Sequence, residues 1–181
     1  MVTWRIAGAV LIVGIVWSQA VGSGFAAAVE TSAASEAEIV TLSDDRQSVM
    51  FYMSDLRPGD QHTQDITVAY TGSATSAEVV LYVSPADLNG SGLERYLQLT
   101  VERGSVSVED GAEIFSGSVV FSGTLEAFGT LHTSYADGAG LWIVDRPGES
   151  RTFRFTVTLL DDNRARCRDA TVAFTWEAQT R

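Results

Sequence analysis

The chain has 181 residues and a formal net charge of −11, and its 12 basic residues are all arginine. A surface this acidic repels nucleic acid and anionic lipid headgroups, so neither is an expected partner. The single cysteine, Cys167, excludes an intrachain disulfide and leaves packing to hold the fold together.

At the N-terminus, Arg5 is followed by an apolar run over 6–17 and then by small residues, which is the grammar of an export signal. About a dozen apolar residues fall short of the roughly 20 that a bilayer span requires, and no second run of that length follows. Cleavage is expected after Ala28, where Ala26, Ala27 and Ala28 satisfy the small-residue rule; Ser18, Gln19 and Ala20 offer a second site nearer the apolar run. The expected organisation is a signal peptide at 1–28, a mobile arm at 29–45 and one β-sandwich domain at 46–181. Signal peptidase is then the partner during export. The mature chain is expected to be secreted, extracellular or held at the cell surface, with no membrane segment. The arm is rich in Ala, Ser, Thr and Glu, and its only apolar stretch is Ile39 and Val40, with Leu42 beside them.

Beyond the arm, apolar residues recur with a period of two between Gly, Pro, Asp and Asn, the mark of half-buried strands. Ile66, Val68 and Tyr70 share one face, as do Val79, Leu81 and Val83, and then Leu97, Leu99 and Val101. Near the C-terminus Phe153, Phe155, Val157 and Leu159 form the longest such face, followed by Val172, Phe174 and Trp176. Weaker strands are expected over 49–52, 106–108, 119–121 and 141–144. Short strands with frequent turns and no helical crossovers predict an all-β, antiparallel, jelly-roll-like or immunoglobulin-like sandwich. One stretch breaks the pattern. Leu125, Phe128, Leu131 or His132, and Tyr135 recur at helical spacing, so a short capping helix is expected over 124–136, with Thr124 as N-cap and Gly138 as stop.

Pro58 and Gly59 predict a type II turn, with proline fixing φ and glycine supplying a positive φ, and Asp60 is placed to accept from backbone amides across it. This turn is expected to join a strand over 49–56 to one over 65–70, and a second Pro-Gly pair at 147–148 is expected to do the same before Thr152.

Together these segments resemble a known family. The run Leu56-Arg57-Pro58-Gly59-Asp60, a polar spacer, Asp65-Ile66-Thr67-Val68 and Thr71-Gly72-Ser73 resemble the opening strands of the TasA and camelysin family. Phe153-Arg154-Phe155-Thr156-Val157, Asp161-Asp162-Asn163 and Phe174-Thr175-Trp176-Glu177-Ala178-Gln179 are similar to its last two strands, and Gly123-Thr124-Leu125 with His132 and Tyr135 to the helix of its short actinobacterial members. The resemblance implies a jelly-roll-like sandwich, exported through a dedicated signal peptidase, in a family whose members assemble into biofilm-matrix fibres. In such fibres the N-terminal strand of one subunit completes a sheet in its neighbour, so the partners implied are other copies or related fibre subunits. The candidate donor here is the segment carrying Ile39, Val40 and Leu42, although 29–35 lacks the aromatic-rich start usual in the family.

Two rival functions compete with this one. Camelysin members are described as metalloendopeptidases, but a zinc hydrolase needs about three clustered ligands and a carboxylate base, commonly as His-Glu-x-x-His. The only histidines, His62 and His132, carry no such motif, and Asp60, His62 and Asp65 read more readily as a solvated polar turn. No Gly-x-Ser-x-Gly elbow exists, and Cys167 among Arg164, Arg166 and Arg168 has no identifiable base. The paired acids Asp44-Asp45, Glu109-Asp110 and Asp161-Asp162 are weak calcium candidates that read as solvated loops. No catalytic residue, cofactor or metal ligand is therefore expected. The second rival is a monomeric polysaccharide-binding module using Trp142, Tyr82 or Tyr96 on an exposed sheet face, with Trp142 the one tryptophan that neither leader nor core claims.

Overall fold

The computed structural model describes residues 3–7, 42–44, 51–54, 56–71 and 76–180. They form β1 (Thr3–Ala7), β2 (Leu42–Asp44), β3 (Phe51–Ser54), β4 (Gln61–Tyr70), β5 (Ala77–Tyr82), β6 (Leu88–Gly90), β7 (Leu97–Glu109), β8 (Ala112–Thr124), α1 (Leu125–Leu131), β9 (Ala139–Val144), β10 (Ser150–Leu159), β11 (Ala170–Ala173) and β12 (Thr175–Thr180). The fold is an all-β sandwich with one short helix. A five-stranded sheet runs β2-β4-β10-β7-β8, a three-stranded sheet β12-β5-β9 and a four-stranded sheet β3-β1-β11-β6. Among the described residues every strand pairing is antiparallel except β1 with β11.

The alternating faces read from the sequence are the core. Ile66, Val68 and Tyr70, Leu97, Leu99 and Val101, and Phe153, Phe155, Val157 and Leu159 are buried on one side of the five-stranded sheet. They pack against Val79, Leu81 and Val83, Val172, Phe174 and Trp176 from the facing layer. Aromatic rings join the two layers: Phe155 lies 4.8 Å from Phe174 and 6.0 Å from Trp176, and Phe153 lies 5.6 Å from Trp176. Such tilted and edge contacts stabilise by about 0.5–1.5 kcal/mol each beyond burial alone.

Three expected elements differ. The strand expected through Val172, Phe174 and Trp176 is two strands, because the chain leaves the four-stranded sheet after Ala173 and enters the three-stranded one at Thr175. Phe174 lies at the switch, fully buried, and Val172, Phe174 and Trp176 all join the core across the two sheets, while Ala173 and Thr175 between them are buried too. The strands expected at 97–101 and 106–108 are one 13-residue strand, β7, paired along its length with β8. Asp110 and Gly111 close this hairpin with φ of 51° and 80°, the signature of a two-residue type I′ turn. The helix ends at Leu131, not near Ala136: Thr124 accepts from the Ala127 N–H as its N-cap, but the backbone at His132 has already left helical geometry. Tyr135 is in a separate 3-10 turn, Tyr135–Asp137, whose Asp137 carboxylate accepts from the amides of Thr133 and Ser134. These local bonds are an alternative to continuing the helix.

Candidate functional site

The Pro58-Gly59-Asp60 motif forms the expected turn. Gly59 has φ +86°, the Asp60 N–H donates to the Arg57 carbonyl at 2.9 Å, and the Arg57 N–H donates to the Asp60 carboxylate at 2.7 Å. The turn is anchored to the end of β10, since Gly59 N–H donates to the Leu159 carbonyl at 2.8 Å and Leu159 N–H to the Asp60 carbonyl at 3.0 Å. It does not close a hairpin, however: β3 and β4 belong to different sheets, and the turn carries the chain from one layer to the other. The Pro147-Gly148 turn also crosses layers, from β9 to β10, with Gly148 at φ +88° and its N–H donating to the Tyr70 carbonyl at 2.8 Å.

Of the candidate donor residues, Ile39 and Val40 lie outside the described residues, and Leu42 begins β2. There Leu42 pairs with Tyr70 and Asp44 with Val68, so the last residues of the expected arm extend this chain's own five-stranded sheet at its edge.

The most informative edge is that of β11. Strand β1, drawn from within the segment expected to be removed on export, lies between β3 and β11. Trp4 pairs with Ala170 and Ile6 with Val172 on one side, and Thr3 with Ser54 and Ile6 with Phe51 on the other. On its far side β11 pairs with β6, where Ser91 N–H donates to the Asp169 carbonyl at 2.9 Å and Thr171 stands opposite Asn89. Because hydrogen-bonding residues alternate along an antiparallel pair, Thr171 directs its backbone groups to β6, and Ala170 and Val172 direct theirs to β1. Both side chains are fully buried. The edge thus couples anchored apolar side chains to a row of backbone donors and acceptors that require a strand beside them.

No protein-family model matches the chain, and no curated protein matches it. Among solved structures it is similar to Spo0M, the sporulation control protein of Bacillus subtilis, at 16% identity and a TM-score of 0.26. That match covers 77% of this chain and 46% of the other, so it spans less than half of the other protein's length and assigns no function.

The chemical candidates from the sequence are dispersed or engaged. Among the described residues no three His, Cys, Asp or Glu side chains converge as a metal site. Asp65 forms a bidentate pair with Arg154, both contacts at 2.8 Å, and His62, three residues earlier on the same strand, faces the other way. His132 packs 4.9 Å from the Phe128 ring and donates from Nδ1 to the Asp137 carbonyl at 2.6 Å. Asp162 caps the 3-10 turn Asn163–Ala165, and its hydrogen bonds from the Arg164 side chain and amide hold its carboxyl down at about 2. Arg164 and Arg168 flank Tyr96, each 5.8 Å from its ring, and Arg168 donates to the carbonyls of Arg164 and Ser91. Two of the three arginines around Cys167 therefore bind their own chain. Cys167 itself is exposed, at φ +57°.

The aromatic face expected for a polysaccharide module is not formed as expected. Trp142 is 3% exposed and faces the core between Leu141 and Ile143, which point outward instead. Tyr82 is also buried; desolvation, and then its hydrogen bond to Glu177 at 2.8 Å, push its phenol up to about 12. The sequence over 141–144 is apolar on both faces, so alternation alone did not distinguish Trp142 from its neighbours.

Proposed function

We propose that this protein is an exported structural subunit that assembles into extracellular fibres by β-strand exchange, as the resemblance to TasA and camelysin implies. One observation carries the proposal: the β11 edge, with Ala170 and Val172 buried and their backbone groups turned outward, is completed by Thr3–Ala7, a strand that cleavage of the export signal would remove. Processing then exposes the β11 edge and leaves β3, whose sheet neighbour is β1, without a strand beside it. A segment from a second copy, with main-chain hydrogen bonds for affinity and alternate side chains for register, satisfies the edge by β-augmentation. The arm containing Ile39 and Val40 supplies a short apolar stretch for that purpose. A donor that leaves its own subunit for the next makes a heterologous contact, and heterologous contacts that do not close propagate as filaments.

The test is the secreted, processed chain with and without a substitution on the outward side of β11. Ala170→Pro removes one N–H that faces β1 and should abolish assembly, whereas Thr171→Val, an exposed side-chain change that keeps every backbone N–H of β11, should leave it intact. Fibres formed by Ala170→Pro at the wild-type rate would remove the support for this edge.

A further inference from the structure

The inner face of the five-stranded sheet changes character where the long hairpin runs past the opposite layer. Along β7 the inward positions Leu97, Leu99 and Val101 are fully buried, but the next inward positions are Arg103 and Ser105. Across the ladder Arg103 pairs with Ser118 and Ser105 with Ser116, while Arg151 approaches from the start of β10. These five side chains wall an open groove of about 490 Å³, and the paired Gly104 and Gly117 leave its remaining wall as bare backbone. Among the described residues no acidic side chain lines it, in a chain whose net charge is −11.

Both guanidinium groups are held in place, Arg103 by carbonyl oxygens and Arg151 by an aromatic ring, a carbonyl and one long ion pair. Arg103 donates through Nη1 to the carbonyls of Gly140, at 3.1 Å, and Leu141, which ties it to β9. Arg151 lies over the Trp142 ring at 5.2 Å and donates to the Ser150 carbonyl; its nearest carboxylate, on Glu149, is 4.0 Å away. A groove with two fixed guanidinium groups and three hydroxyls suits an anion, since a planar guanidinium matches a carboxylate. Its volume falls in the range of small-molecule sites, yet it has none of the apolar wall such sites use for hydrophobic ligands. Serine hydroxyls both donate and accept, which matches vicinal sugar hydroxyls.

We propose that this groove binds a saccharide bearing a single carboxylate, a uronate unit whose carboxylate meets Arg103 and Arg151 and whose hydroxyls meet Ser105, Ser116 and Ser118. The acidic remainder of the surface repels a polyanion, so an isolated uronate at a chain end or branch is the form that fits. The proposal uses no residue of β1, β3 or β11 and stands apart from strand exchange. Displayed along a fibre, many weak copies of the site gain avidity.

The experiment is a nuclear magnetic resonance titration of the full-length chain with D-glucuronate, D-glucose and sodium sulfate. Glucuronate should shift the amides of 103–105 and 116–118 saturably, at least tenfold more tightly than sulfate, and glucose should not. Arg151→Gln should weaken glucuronate at least tenfold while the core amides of 97–101 keep their shifts. Ser116→Ala, which leaves both charges in place, should weaken glucuronate but not sulfate. Equal affinity for sulfate and glucuronate, or no response to either, would overturn the assignment. So would groove shifts that appear with rising protein concentration alone and vanish in Glu109→Gln/Glu113→Gln, because the groove would then hold a second copy's hairpin tip.

Discussion

Removing residues 1–28 should unlock two specific strands. In the intact chain β1 makes four register pairs with β11 and four with β3. About half of the residues in each neighbouring strand direct backbone groups toward β1, so roughly eight hydrogen bonds depend on it. At about 0.5–1.5 kcal/mol net for each, their loss amounts to about 4–12 kcal/mol. That is comparable with the whole stability of a domain, about 5–15 kcal/mol, so the processed monomer should relinquish local order at β3 instead of unfolding throughout. Even the lower figure, about 4 kcal/mol, corresponds to roughly a thousandfold change in an opening equilibrium. Hydrogen exchange followed by mass spectrometry should therefore find amides over 51–54, and those of Ala170 and Val172, exchanging about a thousandfold faster in the processed monomer than in the unprocessed chain. Assembly should restore their protection, while β7 amides over 97–101 remain protected throughout. Equal protection of 51–54 in processed monomer and unprocessed chain would refute the reasoning, since the slot would then need no occupant.

Three further outcomes follow from local structure. Gly59→Ala should cost about 1–2 kcal/mol in urea denaturation, because the φ of +86° is unfavourable to any Cβ while none of the described residues lies within 4 Å to clash with it; a neutral result would mean the turn relaxes at no cost. Asp162 should titrate near pH 2, and Arg164→Gln should return it toward the ordinary carboxylate range, since the Arg164 side chain is the largest cause of the depression. A depressed carboxylate supports the folded state above its unfolded pKa, near 4, and loses that support as pH falls toward 2. Tyr82 should ionise only near pH 12 by ultraviolet absorbance; its raised pKa means that its contribution is intact below about pH 10 and lost as pH rises from 10 to 12.

Much of the sandwich was legible because burial on one face of a strand writes itself as a period of two. The faces of β4, β7 and β10 were readable residue by residue for that reason. The β11–β12 switch was not, since Val172, Phe174 and Trp176 keep pointing inward while the chain changes partners, and periodicity carries no information about pairing. The hairpin's continuity was not legible because its inner face turns polar at Arg103, which reaches β9 at the rim of the opposing layer, and is exposed from Ser105 onward, although the Asp110-Gly111 turn signal is present. The same polar switch marks the groove, which a search for familiar catalytic motifs passes over. The Pro-Gly turns were legible as turns but not as crossings between layers, because a type II turn fixes local dihedrals and leaves the partner of each strand to the sheet.

Electron microscopy of the secreted chain beginning at Val29, beside the same chain lacking 29–45, tests strand exchange most directly. Fibres in the first and monomers in the second are the predicted result. Fibres in both, or monomers in both, would contradict assembly through the arm.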